Sequence, residues 1–66
     1  MVELEELTKE ERKYLKEFGE QMLEGKTDEI RLDAYTIFLS FYNRLKKERK
    51  DVSDFDNYLK FYEGKV

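Results

Sequence analysis

No segment of this chain alternates apolar and polar residues over the length of a strand, and no Pro and only three Gly interrupt it. Without period-two patterning or frequent breakers, its apolar groups recur at helical spacing, and the sequence predicts an all-α fold. Three start signals divide the helices. Thr8 followed by Glu11 has the spacing of a capping box, in which hydroxyl and carboxylate each take the other residue's amide. It opens a helix over about 9–24, predicted to stop at Gly25 in the left-handed C-cap conformation. Thr27, with Asp28 and Glu29 on the positive end of the dipole, opens a second helix over about 28–50. Ser53, followed by Asp54 and Asp56, is predicted to cap a third over about 54–63, ahead of Gly64. Connections this short make successive helices antiparallel neighbours. The expected architecture is a small three-helix bundle with a long central helix. It forms a single domain over 1–66, with 1–7 as a flexible acidic N-terminus.

A chain of 66 residues buries only about 60 % of the surface it exposes when unfolded, so its core needs large side chains. Five Phe, five Tyr and eight Leu supply them. Cys is absent, which removes disulfides and thiolate metal sites as sources of stability. Few amides and 44 % charged residues are also typical of thermostable proteins, natural or designed.

The central helix carries more apolar surface than one neighbour can cover. Ile30, Ala34, Ile37, Phe38, Phe41 and Leu45 form one stripe, and Leu32, Tyr35, Leu39 and Tyr42 a second, together spanning an arc of about 220°. The first helix presents Tyr14, Leu15, Phe18 and Met22 as an ordinary core face, with Gly19 beside it for close helix approach. The third offers Val52, Phe55, Tyr58, Leu59 and Tyr62, with Phe61 displaced to the side. Either the third helix covers the second stripe, or Tyr35, Leu39, Tyr42 and Phe61 form a surface for another protein or a second copy. Tyrosine suits such a surface, since it joins a large ring to a hydroxyl that prefers water.

Catalysis is not expected. His and Cys are absent, the two serines are mid-helix or assigned to a cap, and carboxylate pairs such as Asp28 and Asp33 arise by chance among 16 acidic residues. No calcium loop, phosphate-binding loop or zinc motif is present, so no cofactor, metal or small-molecule substrate is expected. The longest mainly apolar run, Ala34 to Tyr42, is too short for a membrane span. The acidic start MVELEEL lacks a signal peptide's basic and apolar regions, and a cytoplasmic protein is expected.

Net charge is −3, yet residues 44–50 sum to +4. A nucleic-acid contact through Arg44, Lys46, Lys47, Arg49 and Lys50 is the alternative function. Against it, the start of the second helix is acidic, and the cations are expected to face Asp51, Asp54 and Asp56 and to stabilise their own helix end. The leading expectation is a noncatalytic protein-interaction module: an inhibitor, antitoxin, adaptor or regulator. A structural bundle without a partner is the third reading. The octets YTIFLSFY (35–42) and FDNYLKFY (55–62) have a spacing similar to the clamp-binding box of replication proteins. Tyr35 or Phe55 stands in place of its Gln and Phe38 or Tyr58 in place of its aliphatic residue. Core periodicity produces the same spacing, and no family follows from it.

Overall fold

A computed structural model describes residues 3–65. Three helices, α1 (Lys9–Glu24), α2 (Asp28–Lys47) and α3 (Asp56–Lys65), follow in order, with a single 3-10 turn at Ser53–Phe55 leading into the last. The fold is the expected all-α three-helix bundle. Phe41 of α2 meets Tyr14 of α1, and Ile30 lies beside the α1 C-terminus at Gly25, so α1 and α2 run antiparallel. Tyr42, Phe38 and Tyr35 of α2 meet Asp56, Tyr58 and Tyr62 in reverse order, so α3 is antiparallel to α2. The core contains Leu7, Leu15, Met22, Ala34, Phe38, Tyr42, Leu45, Val52 and Phe55.

Both threonine caps form. Thr8 Oγ1 accepts the Glu11 amide at 3.1 Å, while the Thr8 amide donates to Glu11 Oε1 at 2.9 Å. Thr27 Oγ1 accepts the Ile30 amide at 3.1 Å. The ends differ from expectation. Gly25 terminates α1 but has φ −56° and ψ 145°, which is not left-handed. Its need for Gly is steric: a Cβ would lie 2.6 Å from the Gln21 carbonyl oxygen and 3.0 Å from both Arg31 and Ile30 side-chain carbons.

α2 stops at Lys47, three residues short of the predicted end. Arg49 adopts φ 61°, its amide donates to the Lys46 carbonyl at 3.0 Å, and the Lys50 amide donates to the Leu45 carbonyl at 2.9 Å. These bonds make a Schellman turn with Arg in the position that usually holds Gly. A side chain in this conformation costs roughly 1–2 kcal/mol. Arg49→Gly is therefore expected to stabilise the chain by about 1 kcal/mol, raising Tm by roughly 4–8 °C in a domain of this size. Thermal unfolding followed by circular dichroism measures it; an unchanged or lower Tm would show that the Arg49 side chain offsets its backbone strain.

The same turn holds the N-terminal segment. The Glu5 amide donates to the Arg49 carbonyl at 2.9 Å, and the Asp51 amide donates to the Glu5 carbonyl at 2.8 Å. Leu7 is buried beneath it. From Glu5 onward the segment predicted to be flexible is thus docked; Met1 and Val2 lie outside the described residues. Lys50 ties the junction, with Nζ 3.4 Å from Glu5 and 3.8 Å from Glu11.

Ser53 does not cap α3. Its hydroxyl donates to Asp51 Oδ1 at 2.6 Å and its amide donates to the same oxygen at 3.1 Å, closing a local turn ahead of the 3-10 segment, whose N-cap residue is Val52. These two bonds hold the Asp51 carboxyl below its ordinary value of 3.8. The Thr8 amide does the same to Glu11, with help from Lys50 and against some desolvation, lowering it from 4.5. Both groups favour the folded state when ionised. Their contribution is complete above the unfolded-state values and is lost as pH falls through the lower folded ones. Glu11→Gln keeps an acceptor for the capping box and removes one titration. Urea midpoints of this variant should decline less steeply below about pH 4.5 than those of the parent.

Candidate functional site

The aromatic residues of α2 and α3 decide which stripe of the central helix is covered. Tyr42 is buried, donates its hydroxyl to Asp56, and carries Lys46 Nζ over its ring, 5.4 Å from the centroid. Tyr35 is half-buried, stacked on Tyr62 with centroids 4.4 Å apart, and donates to Glu63 Oε2 at 3.3 Å. Burial, followed by the nearby Glu63 carboxylate, raises the Tyr35 phenol above 10.0. Leu39 is half-buried, and Phe61 is 63 % exposed. Tyr35, Leu39 and Tyr42 of the second stripe are thus wholly or partly covered, whereas its first member, Leu32, is 55 % exposed; of the four residues expected at an interface Phe61 alone is widely exposed. Phe38 and Tyr42 are buried, and Phe41, Tyr58 and Tyr62 pack against the core, so the shared spacing of the two octets is core spacing at every shared position except Phe61.

Besides the separate exposed side chains Leu4, Leu32 and Phe61, apolar surface is uncovered on the opposite edge of α2. Ile37 is 39 % exposed and Ile30 44 %, although both fall in the stripe assigned to the core. Across from them, Tyr14 of α1 is 39 % exposed, with its ring 4.6 Å from that of Phe41 and 4.7 Å from that of Phe18. Of the expected core face of α1, Leu15 and Met22 are fully buried and Phe18 packs against the core, but Tyr14 is exposed; it, Ile30 and Ile37, with the half-buried Phe18 and Phe41, form a seam between α1 and α2 on the side away from α3. Open depressions run along this seam, lined by Glu10, Tyr14 and Phe41 at one end and by Glu17, Glu24 and Ile30 at the other.

Gly19 marks where α1 and α3 come closest to a clash. The Tyr58 ring of α3 lies against its Cα, so closely that a Cβ would come within 2.8 Å of the ring. That approach brings α1 and α3 close together on one side, while Ile30 and Ile37 on the other edge of α2 stay exposed. The spacing that could have marked this seam is in the sequence. Ile30 and Ile37 are seven residues apart, and so are Glu10, Glu17 and Glu24 on the facing rim of α1.

The basic segment is partly occupied within the chain. Arg44 Nε lies 3.2 Å from Glu48, Lys46 sits over Tyr42, and Lys50 is held by Glu5 and Glu11. Lys47 and Arg49 are exposed. Among the described residues none of these cations is within ion-pair distance of Asp51, Asp54 or Asp56, although Lys46 and Lys50 line one depression with Asp51 and Asp56. Asp54 lies 3.6 Å from Arg12, Asp56 accepts from Tyr42, and Asp51 is the acceptor for Ser53. Asp28 pairs with Arg31 of its own helix. Among the described residues, no group of three or more acidic side chains is placed to hold a metal ion, and no helix is long and apolar enough to cross a membrane.

No protein-family model, curated protein or solved structure matches this chain. Its class is defined by its own geometry: an all-α bundle with one inter-helix groove filled by α3 and the opposite groove open.

Proposed function

We propose that this chain is a noncatalytic protein-binding module that uses the open seam between α1 and α2. The observation that carries the reading is the set of large apolar side chains at the surface there: Tyr14, Ile30 and Ile37 are each more than a third exposed, around the half-buried Phe18 and Phe41. In a domain so short of apolar material, holding three such residues outside the core forgoes stability, and contiguous exposed apolar surface marks interaction sites. Helix-in-groove recognition is the binding mode that suits two antiparallel helices with a shallow trough between them. Inhibitors, antitoxins, adaptors and small regulators act in this way.

A photo-crosslinking side chain at position 37 tests the reading inside the cell of origin, with Asn57 on α3, which is exposed and polar, as the control site. Position 37 should yield a discrete adduct of higher mass and position 57 none. Equal crosslinking from both sites would remove the seam as the binding surface.

A further inference from the structure

The chemistry of the seam's occupant follows from its rim. On the α1 side, Glu10, Glu17 and Glu24 recur every seven residues and all are exposed. At 1.5 Å per residue they stand roughly 10 Å apart, in a row parallel to the apolar strip. Among the described residues none of the three lies within ion-pair distance of a cation, whereas Glu5, Glu11, Glu48 and Asp54 do. On the α2 side exposed Asp33 sits on the rim between Ile30 and Ile37, Thr36 and Ser40 are uncharged, and Arg44 is paired with Glu48, while Lys26 lines the Glu17–Glu24 end. The seam is therefore an apolar strip whose α1 border carries a row of carboxylates at the helical repeat, with Asp33 adding a negative charge on the α2 side.

We propose that the seam binds a basic amphipathic helix of a different protein, laid along α1 and α2 as a fourth helix opposite α3. This rests on the protein-binding reading above and adds the charge and shape of the partner. The apolar stripe of such a helix would cover Tyr14, Ile37 and Phe41, and Lys or Arg at seven-residue spacing would align with Glu10, Glu17 and Glu24, as flanking charges do in coiled coils. A second copy of this chain fits less well, because a symmetric pairing across the seam brings two acidic rows towards each other. Charge complementarity of this kind chiefly sets partner choice and association rate.

Three synthetic peptides of about 18 residues, long enough to span the seam as a helix, test the inference. One has a Leu stripe flanked by Lys, the second has the same stripe flanked by Glu, and the third scrambles the first. Titration into the isotopically labelled chain should show the Lys peptide binding at least about tenfold more tightly than the Glu peptide, a difference of about 1.4 kcal/mol. Shifts should be centred on Tyr14, Ile37 and Phe41, and binding should weaken with salt. The triple variant Glu10→Lys, Glu17→Lys, Glu24→Lys should reverse the preference; if it does not fold, Glu17→Gln should still reduce it.

Equal binding of the scrambled peptide would overturn the inference, because the stripe would not be read. Stronger seam binding of the Glu peptide would overturn the charge assignment and leave the seam as a binding surface. So would a concentration-dependent dimer abolished by Ile37→Lys, with the second copy as occupant. A monomer whose seam is perturbed by none of the peptides would overturn both the inference and the reading beneath it.

Discussion

Replacing Phe38 with Ala is expected to unfold most of the protein at 25 °C. Phe38 is fully buried, and its ring lies 5.9 Å from Tyr42 and 6.0 Å from Tyr58, where α2 faces α3. Truncating a buried Phe costs about 3–5 kcal/mol through lost transfer energy and the cavity left behind. A single core in a chain of this length supplies roughly 3–5 kcal/mol in total, so the loss is comparable to the whole. Far-ultraviolet circular dichroism of Phe38→Ala should show mostly unfolded chain, recovered in part by a stabilising osmolyte. Phe61→Ala is the matched control. Phe61 is 63 % exposed, and its loss should move the urea midpoint little, within about 0.5 kcal/mol. Similar costs at both positions would contradict the placement of α3.

The second large effect is expected at Gly19. Even a methyl group there would sit 2.8 Å from Cδ1 and 3.0 Å from Cγ of Tyr58, both atoms of a rigid ring. Gly19→Ala recovers about 1 kcal/mol of helix propensity but incurs an overpacking cost of about 1–3 kcal/mol. Gly19→Leu has no such balance. It should force Tyr58 out, separate α3 from α1, and reduce stability by about 3 kcal/mol. With α3 displaced, Tyr35 and Tyr42 lose their cover, so near-ultraviolet dichroism should fall more than helix content. A double-mutant cycle isolates the cause. Gly19→Ala combined with Tyr58→Leu should be less destabilised than the sum of the single changes by about 1 kcal/mol or more. Strict additivity would mean that the ring and Gly19 do not meet.

These two positions also show where sequence reasoning stops. Gly19 reads as a site of close approach from its place beside the core stripe, but the approaching group, Tyr58, is 39 residues away and belongs to α3. The excess apolar arc of α2 reads correctly as more than one neighbour can cover. Which edge remains open depends on the azimuth at which α1 docks, and periodicity along one helix carries no information about that angle. Tyr35, Leu39 and Tyr42 seemed the surplus because α3 is short; in the structure their long rings reach it through stacking and the Asp56 and Glu63 carboxylates. Ile30 and Ile37 seemed core because they share a stripe with Phe38.

The basic half of α2's end illustrates a different limit. Five cations before three aspartates suggest mutual pairing, yet the helix ends in a Schellman turn that redirects the chain, and Lys50 turns to Glu5 and Glu11 instead. Nothing in the sequence marks that turn, because Arg49 occupies the position where Gly would have signalled it. The docked segment Glu5–Leu7 was hidden for the same reason: its backbone partners exist only once the turn has formed.

What the sequence determined by itself is local: the helical state of nearly the whole chain, its division by Thr8 and Thr27, and the abundance of aromatic residues on α2 and α3. Each follows from interactions within about four residues, the capping bonds and the 3.6-residue period. What only the tertiary structure decided is relational: that α3 covers one side of α2 and leaves the other, and that the Tyr58 ring of α3 comes against Gly19 of α1. Glu10, Glu17 and Glu24 border the open side as a consequence. Those outcomes depend on distances between residues far apart in the chain, which sequence spacing does not fix.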